Sequence, residues 1–318
     1  MKKISLIVSA ALLSMVLAGC GKVSLSVAHK SYAPSGMTAV IKGHSNQKAV
    51  RYRINNGAQK TQPVNDGGYA ITLPAKPYQQ TVKLTAGGRN ASTVIKRSPA
   101  IMSYSKFTAA YNQAWLGTAL SKKDQATAMQ LQKQGAQIQQ KAAKLKADSK
   151  AAQAKLKAGD TSAQATLASL AEQGTKLRTQ GAKLKQAQAA LVPALAKAKK
   201  QVADDTITAK ARTGVYNLKK TSTATVRGNV DDGQLIGATL MVPTSSLKSK
   251  KAARTFMTEL AVLTGSVGAN TKTVLKGFEN KANKQNSSQT TTSTIRSNGI
   301  DFDLGYSKTT LYIYVTHH

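Results

Sequence analysis

Of 318 residues, 13 are acidic, 4 are histidine, 1 is tryptophan and 1 is cysteine. Each scarcity excludes something. A single thiol cannot close a disulfide within the chain, so whatever folds here folds on its cores alone. His29, His44, His317 and His318 fall in no His-x-x-x-His or Cys–His grouping, which leaves zinc without a ligand set. No Gly-x-Ser-x-Gly elbow, Walker loop or dinucleotide glycine fingerprint occurs. No catalytic residue, metal ligand or cofactor motif is therefore expected, and the expected activity is binding, not catalysis.

The lone cysteine has a particular setting. Met1-Lys2-Lys3 is a basic head, and Ile4 to Leu17 is an apolar run broken only by Ser5, Ser9 and Ser14. Charge, apolar stretch and small residues in that order form an export signal. The run is too short for a permanent span, which needs ~20 residues. It ends in Leu17-Ala18-Gly19-Cys20. This stretch resembles the lipobox of bacterial lipoproteins, most closely those of Gram-positive surfaces. The resemblance covers the first twenty residues. It implies a diacylglyceryl group on Cys20, cleavage before it, and a chain anchored on the extracytoplasmic face of the cell membrane. Two acyl chains, at ~0.8 kcal/mol per buried methylene, hold stably where one holds marginally.

What the chain has in excess is positive charge: 46 Lys+Arg, for a formal net of +33. Residues 20–104 carry 12 basic and 1 acidic side chain, residues 105–212 carry 19 and 6, and residues 213–318 carry 13 and 6. A balance of this kind points to polyanions. For an exported protein those are anionic lipid, phosphate-bearing wall polymer and, for a host-dwelling species, sulfated or sialylated glycans, and nucleic acid is not an expected partner. Only Gly21 and Lys22 separate Cys20 from the first strand-like stretch, so the most one-sided segment is expected within about 10 Å of the headgroups. That is about one Debye length at physiological salt.

Along residues 20–102, Val23–Val27, Met37–Ile41, Val50–Ile54, Tyr69–Leu73, Thr81–Thr85 and Ser92–Lys96 alternate apolar with polar, and Gly- and Asn-rich turns separate them. The pattern predicts a small all-β sandwich and is similar to bacterial immunoglobulin-like domains. In strand 50–54 the period of two sends Arg51 and Arg53 outward. With the flanking Lys48 and Lys60 they form the candidate site for an anionic surface.

Residues 103–212 are rich in Ala, Lys and Gln, with no proline before Pro193. Heptad spacing from Leu131 to Leu156, and again from Leu167 to Leu195, predicts a long antiparallel α-helical coiled-coil hairpin. Its tip falls near Gly159, Gln188 is a polar seam residue, and the rod could dock a protein partner. Break signals at residues 117–125 and at Pro193 predict a joint in both arms. Phe107, Tyr111 and Trp115 share one helix face as packing residues of the stem.

Residues 213–318 read as an α+β domain of order ββααββ. Hence the expected fold class is multidomain: signal peptide 1–19, sandwich 20–102, hairpin 103–212 and α+β domain 213–318. The alternative function, a hydrolase acting on the cell wall, would place its site in this last domain at Asp231, Asp301 and Asp303. Paired carboxylates there could serve as acid and base.

Overall fold

The computed structural model describes residues 22–284 and 294–318. The lipobox stretch with Cys20 lies outside the described residues, as do residues 285–293 of 281–294, a run rich in Lys, Asn, Gln, Ser and Thr whose composition predicts an exposed polar loop. Two compact units emerge. One comprises residues up to Ala33, Ala39–Leu73 and Gln79–Lys96; the other comprises Pro34–Thr38, Pro74–Tyr78 and Arg97–His318.

The first unit is built on eight strands: β1 (Leu25–Val27), β2 (Ser31–Tyr32), β3 (Thr38–Ser45), β4 (Ala49–Ile54), β5 (Lys60–Pro63), β6 (Gly68–Pro74), β7 (Gln80–Ala86) and β8 (Arg89–Ile95). They form a three-stranded sheet, β1-β3-β6, and a five-stranded sheet, β2-β8-β7-β4-β5. β2 runs parallel to β8. Period-two alternation sends Ile41, Ile71 and Leu73 of the smaller sheet and Val50, Val82, Leu84 and Ile95 of the larger into one buried cluster. Tyr69 reaches across the smaller sheet, its hydroxyl donating to Ser26 O at 2.8 Å. Burial, with a smaller push from Tyr32, raises its phenol to about 12. Gly43 lies under this bond: a Cβ there would run into the Ser26 carbonyl and the Tyr69 hydroxyl, so only a bare backbone fits.

The second unit opens with β9 (Met102–Ser103) and α1 (Tyr104–Ala119), then α2 (Lys122–Lys157) and α3 (Ala163–Gln201). There follow β10 (Gly214–Lys220), β11 (Thr225–Asp231), β12 (Gln234–Pro243), α4 (Lys250–Ser266), α5 (Thr271–Lys284), β13 (Ile295–Ser297), β14 (Ile300–Tyr306) and β15 (Thr310–His317). The strands make one sheet in the order β10-β11-β12-β15-β14-β13, with β9 against β12. Phe107, Tyr111 and Trp115, one turn apart on α1, are buried in the same core as Leu240, Phe256, Leu260, Leu263, Phe302 and Ile313. Aromatic side chains bury 150–250 Å² each, and this face draws α1 into the core.

These observations overturn the expected fold class. Five helices and fifteen strands in three sheets are present among the described residues, in place of an immunoglobulin-like sandwich, a coiled-coil hairpin and a ββααββ domain in series. The C-terminal order is βββααβββ. β10 escaped notice because a bulge between Asn217 and Lys219 shifts its register and breaks its alternation. Residues 295–306, whose composition reads as a single strand, split into β13 and β14 at Asn298-Gly299, where φ is +53° and +77°. Asn-Gly is a strong two-residue hairpin signal, and it lay unused in the sequence.

The coiled coil is corrected on burial. α2 and α3 touch, with Leu184 facing Gly135 and Leu145 facing Gly174. Of the expected seam, however, only Leu131, Ala152, Leu170 and Leu191 are buried, and Ala142, Leu156 and Gln188 are exposed. Ala187, half-buried, stands in the seam where Gln188 was expected. A sustained coiled coil needs each seam side chain seated in a hole of the facing helix. Small seam residues leave too little apolar surface here to fill those holes. The expected joint appears in one arm only: the chain leaves helix at Leu120–Ser121, where Ser121 caps α2 by accepting from Asp124 N at 3.1 Å, whereas α3 continues through Pro193.

Candidate anion-binding face

The register of the five-stranded sheet decides which cations meet. Arg51 lies opposite Thr85 and Arg53 opposite Lys83. On the next strand Thr85 lies opposite Asn90 and Lys83 opposite Ser92. Directly opposed residues share a face, so two parallel rows run across β4, β7 and β8: Arg51-Thr85-Asn90 and Arg53-Lys83-Ser92. All six are exposed. Long cationic side chains rise beside short polar ones, and the face dips into a shallow hollow of about 510 Å³ lined by these residues.

Two of the four expected site residues are therefore brought together and two are not. Lys60 lies opposite Tyr52, whose neighbour across the other ladder is the buried Leu84, so Lys60 belongs to the opposite face of the sheet. Lys48 has the parity of the fully buried Val50 and lies outside β4. In their place stands Lys83. Its alternation was plain in Thr81–Thr85, but no local signal places it against Arg53; that pairing is a product of strand order.

Like charges directly opposed across a ladder are destabilising. Among the described residues no carboxylate pairs with Arg51, Arg53 or Lys83. Residues 20–104 contain one acidic side chain, Asp66.

The carboxylates considered for catalysis are otherwise engaged. Asp231 forms an ion pair with Lys76. Asp301 lies 3.3 Å from Arg296 and 3.2 Å from the His318 ring. Asp303 accepts from the Thr294 hydroxyl at 2.6 Å. Among the described residues no three His, Cys, Asp or Glu side chains gather as metal ligands would.

The carboxylate that sequence reading missed is Glu259 of α4, 1 % exposed. The Thr221 hydroxyl donates to Oε1, and Oε2 makes no hydrogen bond of ordinary geometry. Burial raises its pKa, the Thr221 and Thr223 hydroxyls lower it in part, and Asp205 adds to the rise. Its spacing from Phe256 and Leu263, three and four residues away, puts it on the apolar stripe of the helix; that was the available signal.

No family model matches the chain, and comparison with curated proteins found no match. Among solved structures, an FMN-binding beta-glucuronidase from Facaelibacterium prausnitzii L2-6 aligns at 18% identity and TM-score 0.21, over 24% of this chain and 12% of the other. The bromine derivative of BhCBM56 aligns at 14% identity and TM-score 0.16, over 24% of this chain and 91% of the other. Likeness at this level carries no statement about fold or function.

Proposed function

We propose that this is a binding protein of a bacterial cell surface, anchored by a diacylglyceryl group on Cys20 and drawn to anionic polymer or lipid of its own envelope through the Arg51, Arg53 and Lys83 face. It works by association, without a cofactor or metal. The observation that carries the reading is the uncompensated cation cluster on a rigid sheet. No described helix is long and apolar enough to cross a membrane, which is compatible with attachment by lipid alone. A cation near an anionic surface contributes ~1 kcal/mol, so three of them make a measurable but reversible attraction.

Two measurements test this. Binding of the full-length chain to phosphatidylglycerol vesicles or isolated cell wall is expected to weaken sharply between about 0.01 and 0.15 M salt, as the Debye length shrinks from ~30 to ~8 Å. The double reversal Arg51→Glu, Arg53→Glu is expected to cost about tenfold or more at the lower salt. Salt-insensitive binding would remove the electrostatic basis. Independently, cells fed a labelled fatty acid are expected to incorporate it into the mature chain and to lose the label on Cys20→Ser. An unlabelled chain released into the medium would end the anchoring half of the proposal.

A further inference from the structure

We infer that the face is shaped for one kind of polyanion, a linear chain of three-carbon polyol units joined by phosphodiesters, and not for the plane of a bilayer; this deepens the anion-binding reading above and rests on it. The first reason is spacing. Arg51 and Arg53 are two residues apart on one side of β4, which sets their Cα atoms ~6.6–6.8 Å apart. Two residues of extended backbone are six covalent bonds and span at most about 7 Å. A phosphodiester of a three-carbon polyol (P–O–C–C–C–O–P) also places six bonds between successive charges. Lying along β4, such a polymer meets Arg51 with one phosphate and Arg53 with the next. Lys83 lies across from Arg53, with Cβ atoms ~4.5–5.5 Å apart, and shares the second phosphate.

The second reason is shape. The hollow is lined by Arg51, Arg53 and Lys83 and, beside them, by the shorter Thr85, Asn90 and Ser92. A planar headgroup layer meets the tips of the long cations, whereas a single chain can also reach the short polar side chains beside them. Among the described residues none of the exposed large apolar side chains lines the hollow, so nothing there inserts into a bilayer.

The third reason is the chemistry of the short side chains. Thr85, Asn90 and Ser92 offer hydroxyl and amide groups that donate and accept. Thr85, directly across from Arg51, suits the free hydroxyl next to the first phosphate, while the Arg guanidiniums offer two parallel N–H donors to each phosphate. Polymer contacts multiply because once one phosphate is bound its neighbour is held at high local concentration.

The test uses the unaltered full-length chain in nanodiscs of neutral lipid, with binding read as fluorescence anisotropy of labelled oligomers. Three probes are compared at equal phosphate: an oligomer of glycerol phosphate, an oligomer of equal charge built on a five-carbon polyol, and phosphatidylglycerol vesicles as competitor. The five-carbon repeat has eight bonds and a spacing about a third longer. The glycerol phosphate oligomer is expected to bind about tenfold more tightly than the five-carbon one, the loss of one charge-assisted contact, and the vesicles are expected not to displace it. Equal binding of the two oligomers, or displacement by vesicles, overturns the inference. If binding in that case still falls with salt and with Arg51→Ala, Arg53→Ala, the broader anion-binding reading stands. If no probe binds at low salt, both fall.

Discussion

Glu259→Gln is expected to raise the stability of the second unit, and to raise it more at pH 8 than at pH 4. The carboxyl is buried near Tyr111 and against Thr221, and burial is the largest influence on it, raising its pKa. A group whose folded pKa lies above its unfolded value favours the fold below the unfolded pKa. That contribution is lost as pH rises through the folded value. At pH 4 the side chain is largely protonated in both states, and the glutamine differs little from it. At pH 8 the wild type must either hold a poorly solvated charge or keep a proton that the unfolded chain gives up, and the amide bears neither cost. A buried group left short of partners costs about 1–3 kcal/mol, which for a unit of this size is on the order of 2–12 °C in melting temperature. Thermal unfolding of both proteins across that pH range checks it. A glutamine variant less stable than wild type at pH 8 would show that Glu259 holds the core together through its charge, and a difference that does not change with pH would show that its ionisation has no part in stability.

The second large effect belongs to α1. Phe107→Ala is expected to destabilise the second unit by about 3–5 kcal/mol, the usual cost of truncating a fully buried phenylalanine. Phe107 is 0 % exposed and shares its core with Phe256 and Leu260 of α4 and Leu240 of β12. Hydrogen exchange should therefore quicken across α4 and β12 as well as along α1. Had α1 been the stem of a separate rod, exchange in α4 and β12 would stay at the wild-type rate. The experiment tests the corrected fold directly.

Much of the first unit was legible because a half-buried strand writes its environment into every second residue. Val50, Ile71, Leu84 and Ile95 all fell on the buried side that their alternation indicates. The helical character of residues 104–201 was legible for a related reason: runs of Ala, Lys, Gln and Leu favour helix residue by residue. The glycine at the tip also behaves as local chemistry dictates, with Gly159 at φ +92°, whereas Asp160, expected to cap the next helix, accepts from Ser162 N at 3.0 Å within the turn and Ser162 stands at the N-cap. Heptad spacing was a poorer guide. It reports which residues share a helix face, not whether the facing helix has surface enough to cover them, and Leu156 is left 39% exposed.

The candidate site shows the same division. That Arg51 and Arg53 point the same way is a property of one strand, and the sequence by itself determined it, together with the shortage of acid around them and the position of the single cysteine. That Lys83 joins them, and that Lys48 and Lys60 do not, was decided only when β4 paired with β7 on one side and β5 on the other. Likewise the burial of Glu259, the packing of α1 into the core of the second unit and the pairing of β9 with β12 required contacts between residues more than a hundred positions apart. The physical reason is one of range. Backbone dihedrals, side-chain alternation and turn chemistry are settled within a few residues. Strand order, and the meeting of charges from different strands, are settled by which apolar surfaces bury one another, and that is a property of the whole unit.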